Sequence, residues 1–312
     1  MWFVLNAEWV NSMVNRFFNY IEIKTKITSL FAFLMTIAYI FYIKKPINWE
    51  LTLIFFASMF IFDLSTTAIN NYIDTKTNQQ ILDFKRNTAR IVIFVLLGIS
   101  TALGIYLAYR TDIVILIIGA GCFVCGILYT YGPIPISRQP FGEILSGIFY
   151  GLFIPFILLY INLPKGTFVL LDLNLKTISL DINVMPMIIV ALLSIVPVCT
   201  TANIMLANNI CDLEKDIELK RFTLPYYLDK SAIYLFAGIY YLAYVGIILM
   251  VVFKVLPTIC LIALLTIFVV QRNINEFLKV QDKATTFICS IKNYVILMGS
   301  ITLMIFISGL IS

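Results

Sequence analysis

Residues 208–216 read Asn208-Asn209-Ile210-Cys211-Asp212-Leu213-Glu214-Lys215-Asp216, and they close a long apolar run that begins near residue 186. The same pattern stands at 70–78, as Asn70-Asn71-Tyr72-Ile73-Asp74-Thr75-Lys76-Thr77-Asn78, again at the end of an apolar run. Both copies read N-N-x-x-D-x-x-x-[N/D], and each is trailed by K-R-x-T: Lys85-Arg86-Asn87-Thr88 and Lys220-Arg221-Phe222-Thr223. Amides and carboxylates at the end of an apolar run put polar chemistry at the mouth of a membrane-spanning segment. One such end is ordinary headgroup-level polarity. Two matching ends with the same basic tail are a site.

The rest of the chain supports a membrane setting. Its 312 residues are 61% hydrophobic and only 12% charged, with a mean hydropathy of +0.96. Soluble domains are about 45–50% apolar and about 25% charged. A soluble enzyme, a disordered protein and a nucleic-acid module are therefore excluded, and the bilayer is the expected partner. The chain has no histidine, so His-ligated metals and His-based triads are excluded as well. The six cysteines lie mostly inside apolar runs and do not form a disulfide framework.

A spanning helix needs about 20 mostly apolar residues. Nine candidate spans satisfy or approach this: 28–43, 51–73, 91–109, 112–131, 141–162, 186–209, 231–253, 256–272 and 289–311. The expected fold is all-α and polytopic, with about nine transmembrane helices around a central cavity in a single domain, 1–312. Residues 1–27 form an N-terminal segment, cytoplasmic or interfacial. Trp2, Trp9, Phe17, Phe18 and Tyr20 in it suit a helix lying on the membrane surface, with a frayed terminus as the alternative. Only Arg110 and Thr111 separate the third and fourth spans, which predicts a tight hairpin. The loop at 163–185 alternates loosely and predicts a short hairpin or an interfacial segment. With the N-terminus in the cytoplasm and the C-terminus outside, 16 of the 22 basic residues fall on the cytoplasmic side, as the positive-inside rule requires.

Four spans separate the two motifs, so both emerge on the cytoplasmic face. A spacing of four keeps side chains on one face of a helix. Asn70, Asp74 and Asn78 thus form one polar ridge, and Asn208, Asp212 and Asp216 another. If the ridges face each other, they offer hard oxygen ligands. These suit Mg²⁺, which keeps waters and binds substrate phosphates beside a few carboxylates. Nearby Lys and Arg residues can neutralise the same phosphates. A diphosphate bridged by Mg²⁺ is the expected guest, with Asp74, Asp212 and Asp216 as the catalytic carboxylates.

Asp63 lies deep in the second span, where a charge costs at least about 2.5–3.5 kcal/mol. It shares a face with Asn70 and Asp74, so it either lines the inner end of the cavity or hydrogen-bonds a neighbouring helix. Glu143 opens the fifth span, at the cavity mouth or in solvent. Cys122 and Cys125 make a C-x-x-C inside an apolar span, where small packing residues are the better reading. Cys211 adjoins Asp212, whose charge disfavours a thiolate.

Nine spans with Asp-rich motifs ending the second and sixth resemble the UbiA superfamily of intramembrane aromatic prenyltransferases. Asn208 through Asp216, followed by Lys220-Arg221-Phe222-Thr223-Leu224, resembles that superfamily's branch that prenylates 1,4-dihydroxy-2-naphthoate in menaquinone synthesis. So do Tyr129-Thr130-Tyr131-Gly132-Pro133-Ile134-Pro135, then Phe141-Gly142-Glu143, and Lys24-Thr25 ahead of the first span. The chain departs from the pattern at Gln80 and Asn78, where an Asp and a Gly are common, and at Cys211, where Arg is usual. Asp83 stands near the first departure.

The resemblance implies Mg²⁺-dependent transfer of a polyprenyl group from a polyprenyl diphosphate to an aromatic acceptor, in a bacterial cytoplasmic membrane. With the naphthoate acceptor, carbon dioxide is lost. It assigns Asn70, Asp74, Asn78, Asn208, Asp212 and Asp216 to the metal and diphosphate. Lys24, Lys85, Lys220 and Arg221 go to the diphosphate, and Asp63, Tyr131 and Glu143 to the acceptor side. Rival readings are a secondary transporter, a branch with another aromatic or lipid acceptor, and a non-catalytic homologue.

Overall fold

Eight helices of the computed structural model are long and apolar enough to cross a membrane; the residues described are 13, 15–76, 81–133, 135–174 and 176–311. They are α2 (Trp49–Asp74), α3 (Arg86–Arg110), α4 (Ile113–Thr130), α5 (Gly142–Asn162), α6 (Val184–Cys211), α9 (Ser231–Val252), α10 (Thr258–Lys279) and α11 (Ile288–Ile311). A shorter apolar helix, α1 (Ile27–Tyr42), precedes them. The short helices α7 (Leu213–Glu218) and α8 (Leu224–Leu228) lie between α6 and α9. The chain is an integral membrane protein, and the nine apolar helices match the nine spans expected from hydropathy. One boundary differs. α10 continues to Lys279 where hydropathy stops near 272, because its last turns are amphipathic: Val270, Asn273, Ile274 and Phe277 are buried while Arg272 and Lys279 face outward.

The chain divides into two compact units. The first comprises the residues up to Ile27 together with Leu53–Pro135. Here the α3–α4 hairpin turns through Asp112, whose side chain accepts from the backbone N–H groups of Val114 and Ile115 and caps α4. Phe62 of α2 stacks on Phe123 of α4 with ring centroids 4.0 Å apart. The Ser58 hydroxyl donates 2.9 Å to the Ser100 carbonyl of α3. Tyr20, fully buried, donates 2.9 Å to the Ala68 carbonyl and holds the N-terminal segment on α2.

The second unit comprises Thr28–Thr52 and Ile136–Ser312. Its centre is α6, which packs against α5, α9 and α11. The α5 contact is backbone on backbone. Residues Phe149–Phe153 form a π-helical segment within α5, and a Cβ on Gly151 would sit 2.3 Å from the Val198 nitrogen, next to Pro197 of α6. Only glycine permits that approach. On the α9 side, the buried Asn203 amide donates 2.9 Å to the Phe236 carbonyl.

The loop at 163–185 is a hairpin, as its alternation allowed. Strands β1 (Val169–Leu173) and β2 (Ile178–Ile182) pair antiparallel with Leu171 opposite Leu180. Asn174 closes the turn by accepting from the backbone of Lys176 and Thr177.

Candidate active site

The first motif ends α2. Asn70 and Asp74 lie one turn apart on it, as the spacing of four predicts, while Asn78 falls outside the described residues. Asn70 Oδ1 accepts from the hydroxyl of Thr130, the last residue of α4. The Tyr129-Thr130-Tyr131 run is therefore brought to the first motif, through Thr130. Tyr131 beside it is 65% exposed. Asn71 does different work: its amide donates to the Tyr20 carbonyl at 2.9 Å and to Glu22 Oε1 at 3.2 Å. Arg86 donates to the Tyr72 carbonyl and lies over the Tyr72 ring. Lys85 is exposed immediately before α3, and Asp83 is exposed two residues earlier. The side chain of Lys24 lies outside the described residues.

Asp63 of the same unit is held in an ion pair. Lys26 Nζ sits 2.8 Å from Asp63 Oδ1, also donates to the Asp63 carbonyl at 3.0 Å, and bonds the Thr67 hydroxyl. Both side chains are nearly inaccessible, at 6% and 5%. A lone charge in this span is costly, and the pairing answers that cost. A bond to a neighbouring element, one of the two readings left open by the sequence, is present.

The second motif spans the end of α6 and the start of α7. Asp212 itself joins the two helices, yet helical bonding runs through it: the Asp212 N–H donates to the Asn208 carbonyl and the Asp216 N–H to the Asp212 carbonyl, at 3.1 and 2.8 Å. The ridge expected on one helix is thus continuous across two. Lys283, from the loop between α10 and α11, places its ammonium 2.7 Å from Asp212 Oδ2 and bonds Asn208 Oδ1 as well. Arg221 Nε stands 3.5 Å from Asp216 Oδ1. Asp216 is buried, and burial pushes its carboxyl above the usual carboxylate range; the Arg221 charge opposes this, and Asp212 adds to it.

Lys220 is exposed and takes the left-handed conformation, φ 55°, that ends α7. The following residues are tied to the 136–138 turn by Arg221 and Phe222, which donate to the Ser137 and Arg138 carbonyls. Asn209 donates 2.8 Å to Glu143 Oε1 at the start of α5. Glu143 is 3% exposed, and its Oε2 is buried with no hydrogen-bond partner among the described residues.

Three residues here escaped the sequence reading: Thr130, Lys26 and Lys283. Thr130 lay inside a quoted run, and Lys26 is two positions from Lys24. Lys283 carried no signal beyond its charge, because only the folded loop delivers it to Asp212.

The donor set fits a hard divalent cation in part. Asn208 Oδ1 and Asp212 Oδ2 already converge on one cation, the Lys283 ammonium. Among the described residues no group of three or more Cys, Asp or Glu side chains closes on a common point. That is compatible with Mg²⁺, which takes one or two carboxylates and fills its shell with water and substrate phosphate.

Residues 29–291 match the UbiA prenyltransferase family. The chain belongs to that family. It is 28% identical, over 230 residues, to the 1,4-dihydroxy-2-naphthoate octaprenyltransferase of Bacillus subtilis (strain 168), covering 70% of this chain and 67% of that one. Its fold resembles the structure reported for a digeranylgeranylglyceryl phosphate synthase, with a TM-score of 0.63, 17% identity, and 96% of this chain and 99% of that chain covered. It also resembles a UbiA homologue from Archaeoglobus fulgidus bound to GPP and Mg²⁺, with a TM-score of 0.52, 13% identity, and 95% and 98% covered. At those identities the likeness establishes a common UbiA fold. As a member of the UbiA family the chain is a membrane prenyltransferase.

Proposed function

We propose that the chain transfers a polyprenyl group from a polyprenyl diphosphate to an aromatic acceptor, namely 1,4-dihydroxy-2-naphthoate in menaquinone synthesis. It acts as one domain in a bacterial cytoplasmic membrane, with its N-terminus in the cytoplasm and its C-terminus outside. The supporting observation is the Asn208–Asp212–Asp216 ridge with two cations on it, Lys283 and Arg221. Oxygen ligands beside fixed positive charge are what a metal-bridged diphosphate needs. The Bacillus subtilis relative supports the acceptor, and the GPP- and Mg²⁺-bound Archaeoglobus fulgidus homologue supports the donor and metal.

Asn70, Asp74, Asn208, Asp212 and Asp216 hold the metal and diphosphate, with Asn78 extending the first ridge. Bound there, Mg²⁺ supplies Lewis-acid stabilisation of the departing diphosphate. Lys220, Arg221, Lys85 and Lys24 neutralise diphosphate oxygens as the allylic carbon–oxygen bond breaks and its electron pair leaves with the diphosphate. The apolar helices keep water from the allylic cation. The acceptor ring then forms the new bond at the carbon bearing its carboxylate. Loss of that carboxylate as carbon dioxide returns an electron pair to the ring. Glu143 faces the acceptor with its open Oε2 and orients a ring hydroxyl, Asn209 fixing its other oxygen. Tyr131 stands exposed beside Thr130 on the acceptor side. Asp63 acts there through the ion pair with Lys26, which holds the inner part of α2 in place.

The test supplies membranes carrying the chain with 1,4-dihydroxy-2-naphthoate and a polyprenyl diphosphate, with and without Mg²⁺. Prenylated, decarboxylated product that needs Mg²⁺ and vanishes in Asp212→Ala is the expected result. No product from folded protein, with turnover of another phenol or of a glycerol-phosphate lipid, overturns the acceptor assignment. Turnover that survives chelation overturns the metal assignment.

A further inference from the structure

The cation on Asn208 and Asp212 belongs to the protein. Lys283 reaches them from a loop built to present it. Asp282 Oδ1 accepts from the backbone of Ala284 and Thr285 and from the Thr285 hydroxyl, at 3.1, 2.8 and 2.7 Å. Thr286 donates its hydroxyl 2.8 Å to the Val280 carbonyl and accepts 2.9 Å from the Asp282 N–H. The bonds from Thr285 and Ala284 hold the Asp282 carboxyl below the usual carboxylate range, the Thr285 hydroxyl contributing most. The Lys283 ammonium also lies 4.9 Å from the centre of the Phe287 ring. The loop is thus preformed, and the lysine side chain is the part of it that reaches the ridge.

We propose that Lys283 is a resident counter-cation of the second ridge, which a divalent metal displaces and the diphosphate then recruits. This inference rests on the metal–diphosphate reading of the ridge. One ammonium now occupies the point on which Asn208 Oδ1 and Asp212 Oδ2 converge. A divalent cation cannot share that point with it, because like charges repel at such separations. Displacement is cheap, since the pair is solvent-accessible, at 43% for Lys283 and 26% for Asp212, and exposed ion pairs are weak. Once displaced, the ammonium has three donors and no acceptor. It stands on a fixed loop beside the metal, and a diphosphate oxygen is the partner that satisfies it. Before substrate binds, the lysine compensates the Asp212 charge and satisfies the neutral Asn208 oxygen. Afterwards it is a substrate-binding residue.

The two roles have opposite signs in one experiment. Mn²⁺ binding to the detergent-solubilised full chain is followed by electron paramagnetic resonance, first alone and then with inorganic pyrophosphate. Wild type is compared with Lys283→Met, Lys283→Arg, Lys215→Met and Asp212→Asn, each checked for native helix content. Lys283→Met is expected to bind Mn²⁺ alone about two- to fivefold tighter than wild type, the scale of an exposed ion pair, and to lose most of the gain in Mn²⁺ affinity that pyrophosphate gives wild type. Lys283→Arg should retain that gain. Unchanged or weaker Mn²⁺ binding in Lys283→Met, with binding lost in Asp212→Asn, overturns the inference alone. Equal effects of Lys215→Met and Lys283→Met overturn it in favour of general surface charge. Absence of Mn²⁺ binding in every form, with or without pyrophosphate, overturns the metal reading beneath it.

Discussion

In the first copy of the motif Asn70 accepts a hydrogen bond from a neutral hydroxyl, Thr130, whereas in the second Asn208 shares a lysine ammonium with Asp212. The neighbouring asparagines behave alike. Asn71 donates to Glu22 and Asn209 to Glu143, and each Glu stands just before or at the start of the preceding apolar helix. Within each Asn-Asn pair, then, the second residue ties two chain segments together and the first accepts from a side-chain donor. The tie is kept in both copies. What differs is the charge: the second copy carries Lys283 and Arg221, whereas the buried ion pair of the first unit, Lys26 with Asp63, lies about two turns before Asn70 on α2. The position matching Asp63, seven residues before Asn208, is the uncharged Thr201.

If both copies serve one diphosphate, removing either Asp should be severe. Asp212→Ala and Asp74→Ala are each expected to lower kcat/KM by about 100-fold or more, the scale for losing one preorganised electrostatic group, in a prenyl-transfer assay on membranes. A near-normal Asp74→Ala enzyme would make the first copy a scaffold only. On stability the asymmetry runs the other way. Lys26→Met takes the paired ammonium away from the buried Asp63 carboxylate and should destabilise the fold by about 3–5 kcal/mol, read as thermal unfolding in detergent; Asp63→Asn in the same chain should recover much of it. No loss in Lys26→Met would mean the pair does not support the first unit.

A milder effect is expected from Thr130→Val, which removes one hydrogen bond from Asn70. About 0.5–1.5 kcal/mol should emerge as a raised KM for the prenyl diphosphate at unchanged kcat. The smallest contrast concerns the two glutamates. Glu143→Gln should raise KM for the aromatic acceptor, while Glu22→Gln, exposed and remote from that role, should stay within about 0.5 kcal/mol of wild-type stability. Equal effects of the two would remove Glu143 from the acceptor side.

The helices, the second ridge and the Asn70–Asp74 part of the first were legible because local signals carry them: hydropathy over about 20 residues, and a spacing of four that repeats. The continuity of the second ridge across Asp212 follows from the same spacing, though a helix junction there was not foreseen. Lys26, Thr130 and Lys283 were not legible, since each acts 37 to 75 residues away from its partner, and nothing local marks such pairing. The amphipathic end of α10 was missed for a related reason: hydropathy averages over a turn, whereas burial there follows one face.

The π-helical segment of α5 has a consequence for counting. It is a wide turn that holds one residue more than an α-helix would, lodged where Gly151 meets α6. Delete one of residues 149–153 and regular α-periodicity returns with the segments on either side still in phase, because the wide turn had absorbed the extra residue. Glu143 would keep its face toward Asn209. A deletion elsewhere in α5, where no wide turn absorbs it, rotates everything ahead of it by about 100° around the helix axis and carries the buried acid to a different neighbour. Chain length is therefore a looser requirement in this turn than in the rest of the helix. A relative one residue shorter at this point keeps its counterpart to Glu143 on the same face.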